Sequence, residues 1–264
     1  MTATILACVG KRGSTDGAGG PKNHRARNYS CKLMEFVERE ERNGCALLSL
    51  SRPPVNALWV DLLGELEDAV TSEAEAGASA IVLTGAGACF SAGIDTKAAA
   101  AADARERADG VRAINATVGA LFGVPLPVVA AVNGHALGGG LVLPLACDFV
   151  LSTRALCKLG LTEAAAGVPF PAVALAAVRA RLSPPVFNNL CLTGRTFAPE
   201  EGLELGVVDR LCDAEALVDR AVAIATELAA LPSFGRVKEQ MRAPQVAEMR
   251  ELAASDPMLD RWLG

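Results

Sequence analysis

An uncharged stretch, residues 125–147, reads PLPVVAAVNGHALGGGLVLPLAC and decides the fold class. It lacks Lys, Arg, Asp and Glu, as a membrane span would, but Asn133, His135 and a run of glycines interrupt it. Such polar and flexible residues disfavour a lipid-spanning helix, whose backbone groups must all be satisfied internally. The stretch therefore predicts a buried strand over Val128–Val132, a turn, and a short buried helix over Gly138–Leu145.

The segments on either side alternate between strand and helix. Short apolar runs predict buried strands, and apolar residues at helical spacing predict helices. The expected strands are one that begins after Met34, Ala46–Leu50, Ala80–Thr84 and Phe149–Leu151, and the expected helices cover Leu58–Ala76 and residues 98–123. Residues 215–264 are expected to be mostly helical, with breaks at Pro232, Pro244 and Pro257. Strands that alternate with helices indicate an α/β fold with crossover connections.

The composition is that of a globular protein and argues against some classes of partner and ligand. The 264 residues suffice for one large domain, and 51% of them are hydrophobic. The formal net charge of −5 argues against a nucleic-acid partner held by a general basic surface. The eight cysteines are scattered, without a CxxC pair or a Cys/His cluster, so no metal site is expected. Scattered cysteines of this kind are typical of small buried residues in a reducing compartment.

The first 33 residues differ from the rest, and we expect residues 1–33 to form a disordered basic extension. They contain one acid, Asp16, and six basic residues: Lys11, Arg12, Lys22, Arg25, Arg27 and Lys32. Two interpretations stay open. An overextended start, with Met34 as the initiator, fits a cytoplasmic bacterial protein. A transit segment, which is basic and poor in acids, fits the mitochondrial matrix.

Three segments carry candidate chemistry: FSAGIDTK at 90–97, NGHALGGG at 133–140 and GLTE at 160–163. Glycines let the backbone approach a ligand closely, and the start of a helix leaves N–H groups without partners. Such a turn can bind an anion or a developing oxyanion. Tight packing of a helix on a strand is the alternative explanation for the same glycines.

Taken together, these segments resemble the crotonase superfamily, the enoyl-CoA hydratase/isomerase family. The family pattern has an FxAGxD loop, then NGxxxGGG at the start of a helix, a CD pair at 147–148 and a GxxE segment. Further matches are LTGR at 192–195, APEE at 198–201 and GVVD at 206–209, so the resemblance covers about residues 35–243. It implies an α/β spiral fold of ββα units, the ClpP/crotonase-like fold. The core domain would cover 34–210, and a C-terminal helical region, 211–264, would hold a homotrimer or hexamer.

The resemblance also implies an acyl-CoA substrate and an oxyanion hole made by the backbone N–H groups of Ile94 and Gly139. Coenzyme A would enter as part of the substrate, with no metal or redox cofactor. The substrate-binding positions that it implies are Ala92, Gly93, Ile94, Asp95, Thr96 and Gly139.

Hydratases of this family use two glutamates, and the resemblance places Val142 and Glu163 at those two positions. Valine cannot transfer a proton, so the chain is more similar to the Δ3,Δ2-enoyl-CoA isomerase branch, in which one base moves a proton from C2 to C4. Apolar neighbours on both sides of Glu163 predict a partly buried carboxyl group with a raised pKa. Glu163 is thus the expected catalytic base.

Other roles and reactions stay open at this point. Asp95 is expected to cap the helix that follows it, and His135 is expected to pack or hydrogen-bond rather than act as a base. Lys97 could pair with a CoA phosphate or remain solvated. The alternative reactions are hydration with a second acid from elsewhere, thioester hydrolysis, and ring-forming or decarboxylating chemistry. A non-catalytic CoA-binding paralogue is the alternative outside enzymes.

Overall fold

The computed structural model of the protein describes residues 34–262. The expected basic extension at 1–33 lies outside the described residues. The strands are β1 (Val37–Arg42), β2 (Cys45–Leu50), β3 (Ala80–Gly85), β4 (Cys89–Ser91), β5 (Val128–Val132), β6 (His135–Leu137), β7 (Phe149–Thr153), β8 (Leu159–Gly160), β9 (Thr196–Phe197) and β10 (Arg210–Cys212). The helices are α1 (Val60–Glu75), α2 (Thr96–Ala101), α3 (Ala104–Gly123), α4 (Gly139–Ala146), α5 (Glu163–Ala166), α6 (Ala172–Arg181), α7 (Pro184–Thr193), α8 (Pro199–Glu204), α9 (Leu217–Ala229) and α10 (Phe234–Ala254).

The strands form two sheets. The larger has the order β1-β2-β3-β5-β7-β10 and is parallel except for the β1–β2 pair. The smaller has the order β4-β6-β8-β9 and is parallel except for the β8–β9 pair. Successive units each place one strand in the large sheet, the next in the small sheet, and then a helix: β3-β4-α2, β5-β6-α4 and β7-β8-α5. The expected succession of ββα units is confirmed.

The large sheet is buried on both faces because its strands alternate apolar residues toward two layers. In β2, Leu48 and Leu50 pack in the main core, whereas Cys45 and Leu47 face the opposite layer, which α9 covers. Near-continuous apolar strands are typical of parallel sheets with helices on both sides. The expected boundary after residue 210 falls inside β10, which pairs with β7.

Residues 98–123 form two helices rather than the single helical run predicted from spacing. The break lies at Ala102 and Asp103, which are both extended. Asp103 caps α3, because its side chain accepts from the N–H of Glu106 at 2.8 Å, while the Glu106 carboxylate accepts from the N–H of Asp103 at 2.8 Å. This reciprocal capping box satisfies two backbone N–H groups at the start of α3. It therefore favours a new helix that begins at Ala104 over a single helix through 98–123.

The prediction of a break at Pro244 is wrong, whereas Pro232 and Pro257 do lie outside the α-helices, and Pro257 opens the 3₁₀ turn Pro257–Leu259. Pro244 lies inside α10, on the exposed side of the helix. Because proline has no N–H group, one carbonyl group of the preceding turn loses its helical hydrogen bond, and water can bind that carbonyl group instead. Met249 is buried further along the same helix, which packs against α3 and α6. These contacts outweigh the roughly 3 kcal/mol that an internal proline costs.

Within residues 34–262, no helix combines the length and the apolar character that crossing a membrane requires. The prediction that cysteines are small buried residues is confirmed for five of them, and Cys212 is half-buried.

Candidate active site

The small sheet brings the two glycine turns together. Strands β4 and β6 are parallel neighbours, so their C-terminal ends lie at the same end of the sheet. The loop after Ser91 and the turn after Leu137 therefore begin side by side. Gly93 has φ +83°, and a Cβ there would lie 2.5 Å from the carbonyl oxygen of Leu137 and 3.4 Å from the backbone nitrogen of Gly139. The two expected oxyanion donors therefore come from backbone segments in direct contact.

The backbone of Ile94 is oriented by a short parallel bridge with Leu58. The N–H of Leu58 donates to the carbonyl of Gly93 at 2.8 Å, and the N–H of Asp95 donates to the carbonyl of Leu58 at 2.9 Å. In a parallel bridge the residue between these two bonds turns its own N–H to the other side. The N–H of Ile94 thus points away from Leu58, and it has no acceptor among the residues that the structure describes.

The three glycines at 138–140 have three different surroundings. Gly138 has φ +52°, and a Cβ there would lie 3.5 Å from Oε1 of Glu163. Gly139 opens α4, so its N–H belongs to the first turn, where helix N–H groups lack helical partners. A Cβ on Gly140 would lie 2.3 Å from the carbonyl oxygen of Ser91. Close packing, the alternative explanation, thus accounts for Gly140, while Gly138 and Gly139 border the candidate site.

Glu163 opens α5 directly after β8, the neighbour of β6 in the small sheet. Its side chain is buried, with 7% of the residue exposed, and its Oε2 atom has no hydrogen-bond partner among the described residues. Burial raises the pKa of Glu163 to about 7, although its own backbone N–H partly opposes this. The expectation of a buried carboxyl group with a raised pKa is confirmed. Such a group can accept and return a proton near neutral pH.

The position where a second carboxylate would stand is occupied by apolar packing. Val142 lies on α4 with 1% of its surface exposed. Within residues 34–262, the other buried carboxylates are Glu73, which pairs with Arg39, and Asp256, which accepts from Asn115 at 2.8 Å. Glu163 is therefore the single buried carboxylate beside the glycine turns in the described part of the chain.

The remaining predicted residues take mostly supporting positions. Asp95 caps α2, as expected, because it accepts from the N–H of Ala98 at 3.0 Å. His135 accepts a hydrogen bond from the N–H of Lys158 at 3.0 Å, which confirms its expected hydrogen-bonding role. Thr96 and Lys97 are exposed.

A cavity of about 870 Å³ lies beside the loop at 92–95, which contains the expected donor Ile94 and is called the oxyanion loop below. Its lining includes Ala92, Ile94, Thr96 and Lys97, but neither Gly139 nor Glu163. Within the described residues, no cluster of three or more His, Cys, Asp or Glu side chains could hold a metal ion.

Sequence reasoning missed the residues that hold the oxyanion loop in place. The buried amide of Asn56 donates to the carbonyls of Ala86, Cys89 and Phe90 at 3.0, 2.8 and 3.2 Å. The hydroxyl of the buried Ser91 donates to the carbonyl of Asn56 at 2.7 Å and accepts from the N–H of Gly93 at 3.2 Å. The available signal was a polar residue inside the apolar segment PPVNALW at 53–59.

Comparison with known proteins supports the same fold. The family model described as enoyl-CoA hydratase/isomerase matches residues 40–260. A probable enoyl-CoA hydratase, EchA17, of Mycobacterium tuberculosis is 35% identical over 68% of this chain and 69% of its own. A carnitinyl-CoA dehydratase of Salmonella arizonae is 35% identical over 72% of this chain and 73% of its own.

Solved structures are similar over most of the chain. An apo enoyl-CoA isomerase of Mycobacterium tuberculosis has a TM-score of 0.77 at 27% identity and covers 83% of this chain and 96% of its own. A probable enoyl-CoA hydratase, EchA3, from the same species has a TM-score of 0.78 at 26% identity and covers 83% and 94%. The family-model match at 40–260 includes strands of both sheets and the C-terminal helices. The chain therefore has the crotonase fold and belongs to the enoyl-CoA hydratase/isomerase family.

Proposed function

We propose that the protein isomerises 3-enoyl-CoA to trans-2-enoyl-CoA. The observation that carries this proposal is a single buried carboxylate, Glu163, beside two backbone N–H groups. A 1,3 proton shift needs one group that takes a proton and returns it. Hydration needs more, because water must be activated and a proton delivered across the double bond.

The reaction starts with the thioester carbonyl oxygen held between the N–H groups of Ile94 and Gly139. Glu163 removes a proton from C2, and the electron pair of that C–H bond moves toward the carbonyl to give a dienolate. The two N–H groups stabilise the negative charge on its oxygen. Protonated Glu163 then returns the proton to C4, which leaves the double bond between C2 and C3. No electron, metal or second cofactor enters this balance.

The environment of Glu163 suits both steps of the proton transfer, the removal of the proton from C2 and its return to C4. With a pKa of about 7, the carboxylate is partly ionised at neutral pH and can accept a proton, and its acid is equally able to give the proton back. The unpartnered Oε2 atom also supports this role, since no described residue competes for the proton.

Hydration is the second candidate, because the two curated relatives are named hydratase and dehydratase. It would require a second acid in place of Val142. Initial rates on 3-hexenoyl-CoA and crotonyl-CoA, measured side by side, distinguish the two reactions. We expect isomerisation of 3-hexenoyl-CoA to be much the faster; equal or faster hydration of crotonyl-CoA would contradict the proposal.

We further propose that the protein assembles as a homotrimer or hexamer through its C-terminal region. Three large apolar side chains are exposed there: Leu231, Val237 and Met241. Light scattering on the purified protein tests this, and a monomer at micromolar concentration would contradict it.

A further inference from the structure

Arg52 connects the two backbone segments that form the oxyanion loop. Its Nη1 atom donates to the carbonyl of Ala57 at 2.9 Å and to Oδ2 of Asp95 at 2.8 Å. Ala57 precedes Leu58, and Asp95 follows Ile94, and Leu58 and Ile94 are the two residues of the parallel bridge. One nitrogen atom therefore links both sides of the bridge that orients the N–H of Ile94.

Asp95 is fixed at three points. Its N–H donates to the carbonyl of Leu58 at 2.9 Å, Oδ1 accepts from the N–H of Ala98 at 3.0 Å, and Oδ2 accepts from Arg52. The first two bonds tie the residue to its own loop and helix. Only the bond from Arg52 ties the side chain across to the segment at 52–57. Its loss would loosen the Asp95 end of the loop, while the bond from the N–H of Ala92 to the carbonyl of Val55 at 2.9 Å and the bond from Ser91 to Asn56 still hold the other end.

We propose that Arg52 is a positioning residue that acts through Asp95 and Ala57 to hold the N–H of Ile94 at the site of the thioester oxygen. This inference rests on the proposed function, because it assigns Ile94 as an oxyanion donor. A donor must lie about 2.7–3.1 Å from the oxyanion, and a misplacement of about 1 Å can cost 10²-fold in rate. Arg52 and Asp95 are only partly exposed, with side-chain exposures of 28% and 20%.

Arg52→Met removes the link, and Arg52→Lys is the conservative variant, because one ammonium group can also donate to both acceptors. The matched control is Arg181→Met. Arg181 pairs with Asp209 at 2.5 Å, with similar side-chain exposures of 20% and 28%, on elements that do not form the site. A purely structural role would give Arg52→Met and Arg181→Met similar effects.

The first readout is kinetic, on 3-hexenoyl-CoA. We expect Arg52→Met to lower kcat about 10-fold, a fraction of the 10²–10³-fold that loss of a whole donor costs. KM should stay within about twofold, Arg52→Lys should recover most of kcat, and Arg181→Met should leave kcat unchanged. A raised KM with unchanged kcat would mean that Arg52 binds CoA, and it would overturn the proposal. Equal losses in Arg52→Met and Arg181→Met would overturn it as well.

The second readout does not depend on whether the enzyme isomerises or hydrates its substrate. Hexanoyl-CoA carries the same thioester but no double bond, so neither reaction consumes it. With a ¹³C-labelled carbonyl, its infrared stretch reports how strongly the N–H groups polarise the C=O bond. We expect the band of the bound thioester to move toward its free position in Arg52→Met and to stay in place in Arg52→Lys and Arg181→Met. An unchanged band in a folded Arg52→Met variant would overturn the positioning role even if isomerisation is established.

Discussion

Replacing Glu163 with Gln should stabilise the protein at alkaline pH while it removes the activity. Burial raises the pKa of Glu163 from 4.5 to about 7, so ionising the carboxyl group in the folded state costs about 3 kcal/mol, at 1.36 kcal/mol for each pKa unit. A group whose pKa is raised on folding favours the folded state at low pH, and this contribution is lost as the pH rises from 4.5 through 7. The amide keeps the shape of the side chain and does not ionise.

The difference between Glu163→Gln and the wild type should therefore grow with pH. We expect a gain in unfolding free energy of about 3 kcal/mol at pH 8 and less than about 1 kcal/mol at pH 5. A gain of 3 kcal/mol corresponds to a rise in Tm of roughly 6–12 °C for a chain of this size. Isomerase turnover should fall by about 10²–10⁴-fold, as loss of a general base predicts.

The assay is urea denaturation at pH 5, 6, 7 and 8, with Glu204→Gln as the control at an exposed position. The control should show no such trend. A Glu163→Gln variant whose stability difference is the same at all four pH values would refute the assigned pKa. A variant that keeps more than about a tenth of wild-type turnover would refute the role of Glu163 as the base.

Two further substitutions test the oxyanion hole and the packing of the C-terminal helix. Gly139→Val should lower kcat by about 10²–10³-fold and leave CoA binding largely intact. The added Cβ would lie 3.3 Å from the side chain of Leu58, and this crowding would displace the N–H of residue 139. The control is Gly119→Ala, where an added Cβ has no neighbour within 4 Å, and it should keep wild-type kcat. Lys238→Met should lower the free energy of unfolding by about 1–3 kcal/mol, because the carboxylate of Asp148, which is 9% exposed, loses its 2.7 Å bond from Lys238 and keeps the 2.9 Å bond from Arg242; urea denaturation against the exposed Arg236→Met checks this.

Elements whose own sequence carries a clear apolar pattern were predictable. β5 spans Val128–Val132, as its continuous apolar run predicts, and α1 lies within the helix at 58–76 that the helical spacing of its apolar residues predicts. The strands of the small sheet follow only from the family resemblance and not from their own sequence pattern, because β4, β6 and β8 have only two or three residues each. A strand so short shows no alternation, and its position depends on partners that are distant in sequence.

The candidate site was only partly predictable for a related reason. The burial of Glu163 and the cap at Asp95 follow from apolar neighbours and from the position before a helix, which are local signals. The link from Arg52 to Asp95 joins residues 43 positions apart through a single nitrogen atom. No local pattern distinguishes Arg52 from a solvated arginine. The supporting contacts of the loop thus become visible only when the two segments are folded together.

The central claim is that one carboxylate moves a proton and that water takes no part in the reaction. Incubation of the wild-type enzyme with 3-hexenoyl-CoA in H₂¹⁸O, followed by mass spectrometry, tests this most directly. We predict that trans-2-hexenoyl-CoA accumulates, with the mass of the substrate and without ¹⁸O. Rapid and predominant formation of 3-hydroxyhexanoyl-CoA that carries ¹⁸O would contradict the account.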